Sequence, residues 1–410
     1  MKYNTKTLAS GLRVIHLPST SSVVYCGFQI AAGTRDELPE EEGLAHFCEH
    51  MSFKGTERRN ALQIINALEG LGGELNAFTN KESTVYYAAV HKDHLRAAVD
   101  VLADMVFHSQ YPQAEIDREV EVICDEIESY NDSPAELIYD EFENQLFSGH
   151  PLGHNILGTA EQLRTYTTAD AQRFIQRYYL PMKSVFFAYG DIDFRRLVTM
   201  LEKIVPTIAD TLKAPVTPEV PALTKNPVGI TITRHRQTHQ AHVMIGTRAY
   251  AINHPRRMAL YLLNNLLGGP SMNARLNLVL RERHGLVYTV ESSMVNYGDT
   301  GVWSVYFGCD PHDVTRCRRL VRRELDKLMA APLAKTRFAI AKRQLKGQIA
   351  IACDSREQFA LDFGKSFLFD GKERYLDDLF RRIDSVSAEE IQTVARELFP
   401  EERLTTLIFT

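Results

Sequence analysis

The sequence predicts an α/β (α+β) protein made of two duplicated domains. Short segments with the apolar alternation of strands are interleaved with longer segments whose apolar residues recur at helical spacing. A proline-rich stretch between residues 206 and 227 separates two halves, as expected of a linker. The order of strand-like and helical segments recurs after this stretch, which indicates an internal duplication.

The predicted elements of the first half follow a regular order. Strands are predicted at 12–17 and 23–30, a short helix around residue 46, a second helix at 61–70, and paired strands at 75–79 and 85–90. Longer helical patterns cover 93–108, 113–130, 134–147 and about 160–178. A strand at 184–189 and a helix that ends near residue 204 close the half.

Composition excludes several classes of protein. Of the 410 residues, 44% are hydrophobic and 24% are charged, as in ordinary globular proteins. No apolar run reaches the roughly 18 residues of a membrane span, and the first residues lack the apolar core of a secretory signal. We therefore expect a cytoplasmic protein without a membrane partner.

Two further patterns have ordinary structural interpretations. The six cysteines are scattered without C-x-x-C spacing, so reduced thiols are expected. The basic run at 316–324 alternates with apolar residues, which favours a solvated helix face over a nucleic-acid site. No nucleic-acid partner is therefore expected.

The clearest chemical pattern surrounds His46 and His50. Apolar residues at helical spacing and a glycine after them predict one short helix here. The two histidines then project from one face, one turn apart, and could hold a single Zn²⁺ at about 2.0–2.1 Å from each nitrogen. Glu49 points toward the same side. This combination is typical of metal-assisted hydrolysis, but it needs a third ligand.

Glu119 and Glu126 are the candidates for that third ligand. The segment around them has a helical apolar stripe, and the two carboxylates share a face that also carries Ile123 and Tyr130. We therefore expect both carboxylates to be partly buried. A carboxylate tolerates burial best when it is paired or binds a metal.

Further landmarks lie along the rest of the chain. They are Gly-Gly-Glu-Leu-Asn-Ala-Phe-Thr at 72–79, Pro-Leu-Gly at 151–153 with Gly-Thr at 158–159, and Arg-Glu-Arg-His-Gly-Leu-Val-Tyr at 281–288. With His46-x-x-Glu49-His50 and Glu126, these motifs resemble the pitrilysin and mitochondrial-processing-peptidase family of inverted-motif (HxxEH) zinc peptidases, in a short two-domain bacterial form. The resemblance covers essentially the whole chain. It implies domains with a mainly antiparallel sheet covered by helices, arranged as a clamshell.

The resemblance implies a role for each residue of the motif. His46, His50 and Glu126 would be the three protein ligands of one Zn²⁺ per chain, which leaves the fourth position for water. Glu49 would be the catalytic base. Glu119 would lie beside the ligands and orient one of them, and the alternative for Glu119 is a carboxylate on a helix surface.

Substrate contacts are expected from both halves. Residues 76–79 are predicted to form an edge strand, to which an extended peptide could add, and the resemblance implies that Asn76 and Ala77 contact the substrate. The alternative is a hairpin strand without a ligand role. Arg281 and Tyr288 match the family's Arg and Tyr pair, which holds the substrate backbone or its tetrahedral intermediate. The alternative is an arginine on a helix flank and a tyrosine in a strand core.

The second half lacks the metal ligands of the first. No H-x-x-E-H follows Arg248, and in the register of the repeat Ala341 and Gln348 take the places of Glu119 and Glu126. The expected domains are therefore a catalytic zinc-binding domain at 1–210, a linker at 211–228, and an inactive duplicated domain at 229–410 that completes the chamber.

These expectations define a function and its alternatives. We expect a zinc-dependent endopeptidase that hydrolyses unstructured peptides or short polypeptides in an enclosed chamber. Because family chambers use four such domains, a homodimer is expected. The alternatives are a noncatalytic scaffold and a subunit that works only with a different homologous partner.

Overall fold

The computed structural model describes residues 2–206, 223, 229–236 and 238–410. They form two compact units, each built around one sheet. The first unit runs from the amino terminus to Glu128, resumes at His154, and also includes Ala352–Arg374. The second contains Ser129–Gly153, the stretch that ends at Ile351, and Tyr375–Thr410. The predicted linker at 211–228 and the boundary at 210 lie outside the described residues, apart from Leu223.

Both sheets are mainly antiparallel, as the family resemblance implied. The strands are β1 (Asn4–Thr7), β2 (Arg13–Pro18), β3 (Val23–Ile30), β4 (Glu74–Thr79), β5 (Thr84–His91), β6 (Ser184–Gly190), β7 (Thr231–Arg234), β8 (Ala241–Ala249), β9 (Val287–Asn296), β10 (Gly301–Cys309) and β11 (Thr405–Phe409). The first unit has the order β1-β2-β6-β3-β5-β4, and the second has β7-β11-β8-β10-β9. The parallel pairs are β2 with β6 and β7 with β11. Strands β4 and β9 therefore lie at sheet edges.

The helices confirm most of the predicted order. They are α1 (Leu44–Met51), α2 (Ala61–Glu69), α3 (Leu95–His108), α4 (Gln113–Asn131), α5 (Pro134–Leu146), α6 (Ala160–Leu163), α7 (Thr168–Tyr178), α8 (Phe194–Ile204), α9 (Arg257–Gly268), α10 (Val314–Ala330), α11 (Lys335–Ala352), α12 (Arg356–Asp370), α13 (Leu376–Ser385) and α14 (Ala388–Leu398). A π-helical segment covers Asn277–Glu282. Within the part of the chain that the structure describes, no helix is both long and apolar enough to cross a bilayer.

One predicted helical region is interrupted. The pattern at 160–178 forms two helices, because α6 ends at Leu163 and α7 begins at Thr168. The Asp170 carboxylate accepts a hydrogen bond from the Thr167 backbone N–H at 2.9 Å, which satisfies a free donor at the start of α7. A hydrogen bond that caps the start of α7 therefore marks a new helix, although the apolar spacing at 160–178 predicted one continuous helical region.

Each sheet packs against a helix that comes from the other half of the chain. Helix α12 packs on the first sheet, where Gln29 donates a side-chain hydrogen bond to the Leu361 carbonyl at 2.8 Å. Helix α5 packs on the second sheet, where Arg248 donates to the Leu146 carbonyl at 2.7 Å. The compact units therefore each contain one exchanged segment. The division into a catalytic and an inactive domain stays a prediction.

Helix α1 is held by its apolar face. Leu44, Phe47, Cys48 and Met51 are fully buried in the core of the first unit. Burial of each large apolar side chain contributes about 1.5–3 kcal/mol. Because these residues recur at helical spacing, the opposite face of α1 carries His46, Glu49 and His50. All six cysteines are unpaired thiols, as predicted.

Candidate metal centre

Helices α1 and α4 bring His46, His50 and Glu126 together. Nε2 of His46 lies 4.0 Å from Oε1 of Glu126, and Nε2 of His50 lies 3.5 Å from Oε2 of Glu126. One ligand atom from each of the three residues lies within 4.8 Å of the others. Tetrahedral ligands at about 2.1 Å from a zinc ion would lie about 3.4 Å apart. The observed separations are near or slightly above this value, so small side-chain movements would let the three residues hold a zinc ion. Two histidines with one glutamate are a donor set of catalytic zinc sites.

Glu119 determines the tautomer of the His50 imidazole. Nδ1 of His50 lies 3.1 Å from Oε1 of Glu119. An ionised carboxylate only accepts hydrogen bonds, so Nδ1 carries the proton and donates it. In the neutral ring the lone pair then lies on Nε2, the nitrogen that faces Glu126. Glu119 therefore leaves His50 in the form that binds a metal.

The two imidazoles differ in their affinity for protons. Burial lowers the pKa of His46 to about 3, and the neighbouring His50 adds to the effect. Burial also acts to lower the pKa of His50, but the hydrogen bond with Glu119 and the charges of Glu49 and Glu126 outweigh it, so this pKa is raised above its ordinary value. The His46 ring is therefore uncharged near pH 7 and can bind a metal without first losing a proton. Below the raised pKa of His50, a metal must displace a proton from that ring.

Glu49 lies buried beside the histidines. Its Oε2 accepts a hydrogen bond from the Thr79 hydroxyl at 2.6 Å, and the residue is only 7% exposed. Burial raises the pKa of this carboxyl above its ordinary value, although the hydrogen bond from Thr79 opposes the increase. A raised carboxyl pKa suits a group that accepts and later returns a proton near neutral pH.

The amino end of α1 is fixed by a buried carboxylate. Glu37 accepts hydrogen bonds from the backbone N–H groups of Gly43 at 2.9 Å and Ala45 at 2.7 Å. Its Oε2 also lies 2.8 Å from Nε2 of His154. Gly43 has φ of 88°, and a Cβ there would lie 2.8 Å from Cα of Gly158. This close approach explains why glycines stand at both positions.

The two glutamates of α4 differ in burial. Glu119 is buried, whereas the side chain of Glu126 is 45% exposed, so Glu126 is partly buried, as expected, but much less so than Glu119. The reason is that Cys124 is the last fully buried residue of α4, and the residues after it are at most partly buried. The cluster therefore opens to solvent on the side of Glu126, where a substrate could enter.

The predicted substrate-contact strand lies next to Glu49. Strand β4 pairs with β5 and forms the edge of its sheet, as predicted for residues 76–79. Asn76 is exposed and Ala77 is partly exposed. Because Thr79 of the same strand donates to Glu49, the end of this edge is joined directly to the candidate catalytic group.

Arg281 and Tyr288 contact each other in the second unit. The guanidinium carbon of Arg281 lies 5.7 Å from the centroid of the Tyr288 ring. Tyr288 belongs to the edge strand β9 and is 80% exposed, so it is not a core residue of the strand. A large exposed aromatic side chain beside a cation is available to bind a ligand.

Sequence reasoning missed two contacts of the site. Thr79 holds Glu49, and Lys54 contacts Glu119 with Nζ 2.6 Å from Oε2. Lys54 follows His50 by four residues, a spacing that would place the two on one side if the helix continued, although α1 ends at Met51. This spacing is a signal that could have identified it. No local pattern indicates the contact between Thr79 and Glu49, because they lie on different elements.

The fold and the site define a two-unit α/β protein with an HxxEH motif at a candidate metal centre, and comparisons with known proteins extend this description. Residues 13–160 match the family Insulinase (Peptidase family M16), and residues 165–345 match the Peptidase M16 inactive domain. The chain belongs to the M16 peptidase family.

Similar proteins span nearly the whole chain. A Bacillus subtilis (strain 168) protein named uncharacterized zinc protease YmxG is 33% identical over 404 residues, which is 98% of this chain and 97% of the relative. The mitochondrial-processing peptidase subunit beta of Bos taurus is 31% identical over 396 residues, covering 94% of this chain and 80% of the relative.

Solved structures share the fold. A protease from Helicobacter pylori aligns with a TM-score of 0.90 at 22% identity, covering 100% of this chain and 99% of the other. A peptidase M16 inactive domain from Pseudomonas fluorescens aligns with a TM-score of 0.89 at 18% identity, covering 100% and 98%. At these identities the likeness establishes the architecture alone.

We expect the replacement of Thr79 by valine to move the acidic limb of the pH profile of peptide cleavage to higher pH. The Thr79 hydroxyl lowers the pKa of Glu49, so its loss raises that pKa further. A general base works only when it is ionised, so activity would be lost at a higher pH than in the unaltered protein. The dependence of kcat/KM on pH measures the shift. Thr79→Ser keeps the hydroxyl and should keep the original profile; an unshifted Thr79→Val profile would contradict this role.

Proposed function

We propose that this chain is a zinc-dependent endopeptidase that hydrolyses unstructured peptides or short polypeptides in an enclosed chamber. The observation that carries the proposal is the convergence of His46, His50 and Glu126, with Glu49 buried beside them. Two relatives named zinc proteases support it, and their alignments with this chain cover 97% and 86% of the relatives' own length.

Different residues of the first unit would bind the metal and transfer the proton. His46, His50 and Glu126 would hold the ion. When bound, zinc would lower the pKa of a water molecule to about 7 and polarise the scissile carbonyl. Glu49 would accept a proton from the attacking water and deliver it to the leaving amine. Because Thr79 occupies Oε2 of Glu49, Oε1 is the oxygen left for this proton.

The edge strand explains why the substrate would be extended. A peptide can add to β4 through main-chain hydrogen bonds, which recognise backbone rather than sequence. Asn76 and Ala77 would contact such a peptide, and Thr79 would place it beside Glu49. Folded proteins do not offer a free extended backbone, so unstructured chains are the preferred substrate.

A homodimer would complete the chamber, with Arg281 and Tyr288 as substrate-binding residues. Their exposed cation and phenol could donate hydrogen bonds to the peptide backbone or to a developing oxyanion. Molecular mass in solution tests the assembly. A self-dimer supports the proposal, whereas a lone chain that gains activity only with a different homologue supports a subunit function.

We expect Tyr288→Phe to reduce kcat for peptide cleavage by roughly 10²-fold, the lower end of the effect of losing one oxyanion donor. The phenylalanine ring keeps the contact with Arg281, so only the hydroxyl is lost. Steady-state kinetics with a quenched fluorescent peptide measures the effect, and zinc content should be unchanged. An unaltered kcat would remove the hydroxyl from the reaction.

Elemental analysis with a peptide-cleavage assay tests the function itself. We expect one zinc ion per chain, cleavage of a quenched peptide, loss of cleavage with a chelator, and recovery on addition of zinc. The protein would instead be a noncatalytic scaffold if it binds no zinc and cleaves no peptide, both by itself and when mixed with a different homologue.

A further inference from the structure

A chain of charged contacts leads from the surface to the metal centre. Nζ of Lys54 lies 2.6 Å from Oε2 of Glu119, and Oε1 of Glu119 lies 3.1 Å from Nδ1 of His50. The Lys54 side chain is 29% exposed, whereas that of Glu119 is 8% exposed. Both oxygens of a buried carboxylate are therefore engaged, one by a cation and one by a candidate ligand.

We propose that Lys54 is a positioning residue of the metal centre, which acts on His50 through Glu119. This inference rests on the proposed function, because it assigns Lys54 a role only when the cluster holds zinc. Lys54 holds one oxygen of Glu119 in place, so the other oxygen points at Nδ1 of His50. The ring of His50 is thereby fixed with Nε2 turned toward Glu126.

The positive charge of Lys54 also stabilises the ionised form of Glu119. A buried carboxylate is costly unless it is paired with a cation or well hydrogen-bonded. Across the 2.6 Å contact, Lys54 supplies that cation, so Glu119 can remain an acceptor toward His50. Groups that hydrogen-bond directly to a metal-binding histidine, as Glu119 does, orient the ring and raise its basicity, and their loss typically costs 10–100-fold in metal affinity.

The position of Lys54 separates this role from a general role in folding. Lys54 lies beyond the end of α1, and its side chain is partly exposed. A methionine at this position keeps the apolar stem and removes only the charge and the donor. The ion pair between Lys6 and Glu202, at 2.9 Å in the same unit, provides a matched control because it lies on other elements.

The experiment measures zinc affinity by competition with a chromogenic chelator. The proteins are the unaltered chain, Lys54→Met, Lys54→Arg and the control Lys6→Met. Because Lys54 acts through Glu119, we expect Lys54→Met to bind zinc about 10-fold more weakly, the lower end of the range for loss of a direct partner of the ligand. Lys54→Arg, which keeps a charged donor, should restore most of the affinity, and Lys6→Met should bind as the unaltered chain does. The absorption spectrum of the Co²⁺-substituted proteins should change in Lys54→Met and not in Lys6→Met.

The outcomes distinguish this inference from the function on which it rests. If the unaltered chain binds no zinc, the proposed function fails. If the unaltered chain binds zinc and Lys54→Met binds it equally tightly with the same Co²⁺ spectrum, only the role of Lys54 is overturned. If Lys54→Met does not fold, Lys54→Gln replaces it in the same assay and decides the question by the same criteria.

Discussion

Replacement of Glu49 by glutamine is expected to reduce peptide cleavage by at least about 10³-fold while zinc stays bound, within the range that general acid–base groups contribute. An amide has nearly the shape of the carboxylate, so the oxygen that accepts the Thr79 hydrogen bond can be kept. The glutamine amide, however, cannot accept a proton from water and return it to the leaving amine. Initial rates with a quenched peptide, together with elemental analysis of the same sample, measure both expectations.

A matched control separates the loss of the base from a general effect of the substitution. Glu69→Gln alters an exposed glutamate at the end of α2 and should leave cleavage unchanged. Full activity in Glu49→Gln would remove this carboxylate from the mechanism. Loss of both zinc and activity would show that Glu49 supports the metal rather than the proton transfer.

Replacement of Glu126 by glutamine is expected to weaken zinc binding by more than the roughly 10–100-fold that follows the loss of a residue which only orients a ligand. The amide is neutral and a poorer zinc donor, and activity should fall with zinc occupancy. Because Glu126 is 45% exposed, the folded protein without metal should keep its unfolding temperature. Chelator competition and thermal unfolding measure the two effects.

Glu128→Gln provides the control for this second prediction. Glu128 is an exposed glutamate on the same helix, two residues further on, so its carboxylate projects in another direction. It should bind zinc as tightly as the unaltered chain. If Glu126→Gln also kept full zinc affinity, the cluster of His46, His50 and Glu126 would not be the zinc site.

Residues close together in sequence were the predictable part of the site. His46, Glu49 and His50 lie on one helix, and helical geometry alone places them on one side. Glu126 was identified by its place in a family motif, and α4 brings it to the histidines. The order of strands and helices in the first half was also predictable, because apolar period and turn residues act locally.

Contacts between distant elements were not predictable in the same way. No period in the sequence shows that α12 would pack on the first sheet or α5 on the second. The exposure of Glu126 depends on where α4 leaves the core, and the exposure of Tyr288 depends on β9 being a sheet edge. Each of these is a property of packing.

The sequence by itself determined the family, the secondary-structure order of the first half and the one-turn spacing of the two histidines, since these depend on short-range geometry and on motif order. Only the tertiary structure decided which groups surround the site. Thr79 reaches Glu49 and Lys54 reaches Glu119 because a sheet edge and two helices pack together, which sets distances of 2.6 Å in both contacts. Such distances arise when the elements share one hydrophobic core, and no segment specifies them alone.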